Sequence, residues 1–340
     1  MRRRFSNDLV PDEAVLNRIR ARRKFGRKLL VVEGQTDIEF VEQSLAKTGL
    51  EVETVFLEPE SKKTFAALTL PVLTAIKRKE FERYMVMPSD HYIQFNKSFY
   101  EACSNVQNQF KKEALTLFGI KPNSPSTEYG YISMIPSNNN LKIVNSFIEK
   151  PVLENAKLLV KQPDTLWNSG IFSFEGEWLS KIVKSRYPDM HSIIIDLLTK
   201  QQLEQLYFYP NKEKFSELDN ISFDKALVES NENNYVAILD AGWTDLGSWH
   251  SLIELQKNPE HGLTLYVEGN YPRTEKPWGY FEVLLETEFS KVKILSINPN
   301  QMLSMQMHKY RSETWYIIQG NPTVTLEDQI IELLPGESIS

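Results

Sequence analysis

The sequence predicts an α/β domain built on a largely parallel sheet, followed by a smaller all-β domain. Two observations carry this. Short apolar runs alternate with helical patterns up to about residue 262, the rhythm of strands joined by crossover helices. Beyond that point strand-like runs follow one another across short Asn-, Pro- and Gly-containing turns, as in sandwiches and barrels.

Lys28 to Val32 (KLLVV) reads as a buried strand, and Asp37 to Thr48 as an amphipathic helix stopped by Gly49. Val52 to Leu57 predicts the next strand. A helix follows from about Thr64 to Lys79, with Pro71 as a point of kinking. Tyr84 to Met87 predicts a third strand that runs directly into Pro88-Ser89-Asp90-His91. This β-α-β-α-β order implies a parallel sheet covered by helices. Further on, Tyr280 to Leu285, Ser290 to Ile297, Thr314 to Ile318 and Pro322 to Leu326 are strand-like. The predicted division is residues 1–262, a linker over 263–272, and a partial β domain over 273–340.

With 41% hydrophobic and 25% charged residues, the 340-residue chain has the composition of a packed globular protein. Its net charge of -6 argues against bulk nucleic-acid binding, which favours a basic face. The basic run from Arg18 to Lys28 reads as a solvated helix end rather than an anion site. A single cysteine, Cys103, excludes an internal disulfide and a cysteine-rich zinc site. Residues 5–13 are too polar for a signal-peptide core, and no stretch approaches a membrane span. The expectation is a soluble cytoplasmic protein without a membrane partner, with oligomerisation left open.

In an open parallel sheet, ligands bind where strands give way to loops at their carboxyl ends. Asp90 occupies such a place, and a carboxylate there can hold Mg²⁺ against phosphate oxygens. Asp245, in Gly242-Trp243-Thr244-Asp245-Leu246-Gly247-Ser248-Trp249, is a second candidate, held in a glycine turn between aromatics. Either aspartate alone is more often a turn residue or helix cap. In Phe147-Ile148-Glu149-Lys150-Pro151, a lysine at a strand end can neutralise phosphate and the glutamate can accept from sugar hydroxyls. The alternative is an exposed ion pair on an edge strand. Trp167-Asn168-Ser169-Gly170-Ile171-Phe172 offers a neutral donor and acceptor at Asn168, placed by a glycine turn.

Together these strings resemble, in order, the motifs of one family. Met87 to His91 resembles "PADH", Thr127-Glu128-Tyr129-Gly130-Tyr131 resembles "TGYGY", and Phe147 to Pro151 resembles "FVEKP". Trp167 to Phe172 is similar to "WNSGIF", Ser222-Phe223-Asp224-Lys225-Ala226 to "SIDYA", and Gly242 to Trp249 to "GWSDVGSW". The family is the mannose-1-phosphate guanylyltransferases, in the bifunctional bacterial form with a type II mannose-6-phosphate isomerase domain. The resemblance runs from about Pro11 to Ser340.

It implies a Rossmann-like nucleotidyltransferase that joins GTP and mannose 1-phosphate into GDP-mannose and pyrophosphate. Asp90 and Asp245 would ligate Mg²⁺, with Asp90, Lys150 and Asp245 forming the catalytic set. Gly130, Glu149 and Asn168 would hold the sugar, and Lys150 would meet its phosphate.

Three departures stand against this pattern. The family's GGxGTRLWPLSR loop has no counterpart, since the only glycines before residue 49 are Gly26 and Gly34. The resemblance therefore implies a domain without its first strand and phosphate-cradling loop. Glu58-Pro59-Glu60-Ser61-Lys62-Lys63-Thr64-Phe65-Ala66-Ala67 stands against the family's "EPxxRNTAPA", so Glu58, Lys62 and Lys63 would border the nucleotide with lysine in place of the arginine fork. Finally, Asn300, Gln306, His308, Glu313 and Gly320 follow a cupin spacing. Gln306, His308 and Glu313 would offer a partial, weak site for a divalent metal such as Zn²⁺. Three readings follow: a guanylyltransferase supplying polysaccharide synthesis, a sugar-phosphate-binding paralogue without turnover, and, third, a metal-dependent isomerase.

Overall fold

The computed structural model describes residues 30–39, 41–42, 52–80, 83–89, 91–200, 202–231, 233–245, 273–286, 291–303, 313–326 and 329–339. The chain divides into two compact units, Met1–Leu246 and Gly247–Ser340.

In the first unit, β1 (Leu30–Gly34), β2 (Thr54–Glu58) and β9 (Tyr207–Phe208) form a parallel sheet in the order β1-β2-β9. Every residue of β2 is buried, as the apolar run Thr54 to Leu57 demands of a strand covered on both faces. The helix Lys63–Lys77 continues past Pro71, which is itself buried. Of the helix expected over 37–48, a short 3₁₀ turn at Gln35–Asp37 and helical residues 38, 39, 41 and 42 fall among the described residues.

A second sheet has the order β3 (Arg83–Val86), β8 (Thr165–Glu175), β5 (Leu115–Ile120), β10 (Asn234–Ile238), β7 (Leu141–Ile148) and β6 (Tyr131–Met134). Here the expectation of a parallel third strand is corrected: β3 pairs antiparallel with β8, and only β5 and β10 run parallel. The reason lies in β8. Its 11 residues serve three partners in turn, β6 at one end, β5 in the middle and β3 at the other end. Because β6 pairs with both β7 and β8, the strands β8-β5-β10-β7-β6 close on themselves.

Side chains alternate across this sheet with the period of 2 that a strand imposes. Leu115, Leu117, Phe172 and Phe174 enter one core, with Phe65 and Leu70 of the helix Lys63–Lys77, Leu179 of Gly176–Arg186 and Ile194 of Pro188–Leu197. Phe118 and Ile171 enter the other, against Phe99, Cys103 and Val106 of the helix Asn96–Asn108. Helices thus cover both faces, as the alternating sequence pattern required.

The second unit is antiparallel throughout its described strands. β12 (Thr274–Lys276), β13 (Gly279–Glu286) and β14 (Lys291–Ile297) form a meander. β15 (Trp315–Tyr316) pairs with β18 (Ser338–Ile339), and β16 (Thr323–Leu326) with β17 (Gln329–Glu332). Gly279 has φ +143°, and a Cβ there would lie 2.0 Å from the Ser296 carbonyl oxygen, so only glycine lets these backbones approach.

Candidate functional site

The loop after β3 and the loop after β10 meet through a two-stranded ladder. β4 (Tyr92–Ile93) pairs antiparallel with β11 (Trp243–Thr244), Thr244 standing opposite Tyr92. Asp245 follows directly. Asp90 lies outside the described residues. Its neighbour Ser89 donates to Glu33 Oε1 at the end of β1 (3.0 Å). Trp243 Nε1 donates to His91 Nδ1 (3.1 Å). A neutral imidazole that accepts at Nδ1 carries its proton on Nε2.

Tyr129 is the hub of this region. Its hydroxyl donates to Asp245 Oδ1 (2.8 Å), holding the carboxylate in one orientation. Its ring centroid lies 4.9 Å from Trp167 and 5.6 Å from Trp243, and Trp243 in turn meets His91 edge-on at 5.2 Å. One aromatic cluster therefore joins four of the strings read from the sequence. Among the described residues the buried Trp167 Nε1–H finds no hydrogen-bond partner, an arrangement that costs free energy unless something else supplies an acceptor.

Gly130, Glu149 and Asn168 come together beside Tyr129. Asn168 sits inside β8, so the glycine turn expected to place it is instead an irregularity within a strand: Gly170 has φ +71° and the register with β5 shifts there. The Asn168 N–H donates to the Gly130 carbonyl (2.8 Å), and its side-chain oxygen accepts from the Gly170 N–H (3.2 Å). Glu149 also lies against Gly130, where a Cβ on the glycine would come within 2.7 Å of Glu149 Oε2. Burial, then the nearby Asp224 carboxylate, pushes Glu149 up to about 7, against the pull of Lys150. Lys150 is exposed with φ 45°, a left-handed backbone unusual for lysine.

Sequence reasoning gave no role to Tyr129 or Asp224, and to Trp243 only that of an aromatic fixing the Asp245 loop. The signal was present in the same strings, but side-chain partners 116, 152 and 56 residues away could not be read from them.

Of the residues expected to border the nucleotide, Glu58 is buried at the end of β2, with Gly34 opposite it in register. Lys62 donates to the Ser216 carbonyl (2.6 Å) and pairs with Glu60 (3.1 Å), while Lys63 is exposed with φ 60°. In the second unit, Gln306 and His308 lie outside the described residues, and Glu313 accepts a long bond from Trp315 Nε1 (3.4 Å). Among the described residues no group of three His, Cys, Asp or Glu side chains is placed to hold a metal, and no helix is long and apolar enough to cross a membrane.

The chain belongs to the nucleotidyl transferase family, whose family model matches residues 15–261. A second family model, that of the mannose-6-phosphate isomerase C-terminal domain, matches residues 268–340, and the relatives that this chain resembles include mannose-1-phosphate guanylyltransferases. Mannose-1-phosphate guanylyltransferase 2 of Escherichia coli O157:H7 is 27% identical to it, over 92% of this chain and 80% of its own length. The xanthan biosynthesis protein XanB of Xanthomonas campestris pv. campestris (strain B100) is 24% identical over 91% and 79%. Among solved structures, mannose-6-phosphate isomerase from Helicobacter pylori superposes with a TM-score of 0.60 at 25% identity, covering 68% of this chain and 90% of that one.

Proposed function

We propose that this chain is a mannose-1-phosphate guanylyltransferase, in which a phosphate oxygen of mannose 1-phosphate attacks the α-phosphorus of GTP. A new P–O bond forms, the bond between the α- and β-phosphates breaks, and pyrophosphate leaves. The observation that carries this reading is the cluster itself. Asn168 and Glu149 sit against Gly130, the chain neighbour of the tyrosine that aligns Asp245. The relatives' names supply the sugar and the base, and XanB connects the product to polysaccharide synthesis.

Such a transfer depends on alignment and charge neutralisation more than on covalent help from the protein. Asn168 and Glu149 would orient the hexose hydroxyls, and Lys150 would meet the sugar phosphate. The Asp245 carboxylate is a hard oxygen donor of the kind Mg²⁺ takes, and its fixed orientation toward Tyr129 suits that role; Asp90 would be its companion. Bound Mg²⁺ supplies neutralisation of the charge that builds at the attacked phosphorus.

A second reading, a sugar-phosphate-binding paralogue without turnover, draws on the nucleotide side. The glycine-rich string is not in the sequence, and Lys62 is engaged by Ser216 and Glu60. The deciding experiment supplies the 340-residue chain with GTP, mannose 1-phosphate and Mg²⁺ and follows pyrophosphate and GDP-mannose together. Product that vanishes in Asp245→Asn supports transfer. Sugar-phosphate binding without product supports the second reading, and neither binding nor product refutes both.

A further inference from the structure

Asp224 opens a five-residue π-helical turn, Asp224–Val228, an uncommon element that recurs at functional sites. The turn is clamped: the Tyr187 hydroxyl donates to the Ala226 carbonyl (2.9 Å), and the Glu229 N–H donates to the Asp224 carbonyl (3.0 Å). Asp224 Oδ1 is thereby aimed at Asn168 and accepts from its Nδ2 at 2.6 Å. With its oxygen already taken by the Gly170 N–H, the Asn168 amide has a defined sense. One N–H is used by Asp224, and the second is the polar group left to offer.

We propose that Asp224 is a positioning residue for the sugar side of the site. It locks the Asn168 amide so that an N–H, rather than the carbonyl, meets the ligand, and selects hexose hydroxyls that accept from Asn168 while donating to Glu149. This rests on the reading above that Glu149 and Asn168 hold the sugar. The same carboxylate acts on Glu149 through space. Glu149 faces Asp224, Lys150 and Glu229, and burial followed by Asp224 raises it to about 7. Asp224 is itself raised by burial, with Asn168 and Lys150 opposing and Glu229 adding to the rise. Replacing Asp224 therefore changes two separable properties, the donor sense of Asn168 and the proton affinity of Glu149.

The test uses the intact chain in two arms. In the ligand-free protein, the Glu149 carboxyl is titrated by ¹³C NMR in wild type and Asp224→Asn. The midpoint near 7 should fall toward 4.5 without reaching it, because burial remains. In the second arm, mannose 1-phosphate affinity is measured by calorimetry for wild type, Asp224→Asn and Asp224→Ala. The alanine variant should bind about tenfold more weakly, and the asparagine variant, whose amide oxygen still accepts from Asn168, should stay within about threefold. An unchanged Glu149 midpoint in a folded Asp224→Asn protein overturns the proposal, as does unchanged affinity in Asp224→Ala. If wild type binds no mannose 1-phosphate, the functional reading fails and the ligand selection falls with it; the titration arm still decides whether Asp224 governs Glu149.

Discussion

Gly130→Ala is a steric probe of the site. Gly130 needs no left-handed backbone, so the substitution adds only a methyl group. That methyl would lie 2.5 Å from Phe147 Cζ and 2.7 Å from Glu149 Oε2. Ordinary contact begins near 3.4 Å, so the Glu149 carboxylate must retreat by about 0.7 Å if the methyl stays put. A ligand hydrogen bond of about 2.9 Å would stretch to about 3.6 Å, where it no longer counts as one. Losing one bond to a charged acceptor costs about 1.5–3 kcal/mol, or roughly 10- to 100-fold in affinity. Overpacking itself costs about 1–3 kcal/mol of stability. Gly119→Ala is the matched control, since its Cβ would meet Leu166 at 2.6 Å and Val236 at 2.9 Å, both apolar. Calorimetric binding of mannose 1-phosphate, with thermal melts of both variants, separates the effects. Gly130→Ala should lose binding, whereas Gly119→Ala should lose stability alone. Equal binding by Gly130→Ala and wild type would refute the placement of Glu149 against the sugar.

Tyr129→Phe removes the bond to Asp245 but keeps the ring against Trp167 and Trp243. Nucleotidyl transfer should fall about tenfold or more while the melting temperature changes little; an unchanged rate would show that Asp245 needs no alignment. Glu149 is raised above its ordinary 4.5 to about 7 in the folded state, so folding takes up a proton between those values. Its contribution to stability is full below about 4.5 and is lost as the pH rises through about 7. Denaturant titrations across that window should therefore show a falling component that Glu149→Gln abolishes. Burial pushes the Cys103 thiol up to about 12. Ellman's reagent should find it inert in the native protein and reactive in denaturant, and rapid native labelling would contradict its place in the core.

The sequence by itself determined which segments become elements and which strings resemble the family's motifs. The apolar runs within Val52–Leu57 and Tyr84–Met87, and the helical period from about Thr64 to Lys79, are local properties of side-chain spacing. So were Gly130, Glu149 and Asn168, recognisable from their strings before any contact was known. Tertiary structure decided the rest. That β3 pairs antiparallel with β8 depends on an 11-residue strand finding three partners, which no local pattern encodes. The glycine in Trp167 to Phe172 could equally have made a turn, and pairing with β5 turned it into a kink within a strand. Asp224 meets Asn168 across 56 residues, Tyr129 meets Asp245 across 116, and Lys62 is drawn to Ser216 across 154. Hydrogen bonds and ion pairs at such separations form only after loop closure has been offset by a shared core. For that reason the residue types of the site were legible in the sequence, and the partners that orient them were not.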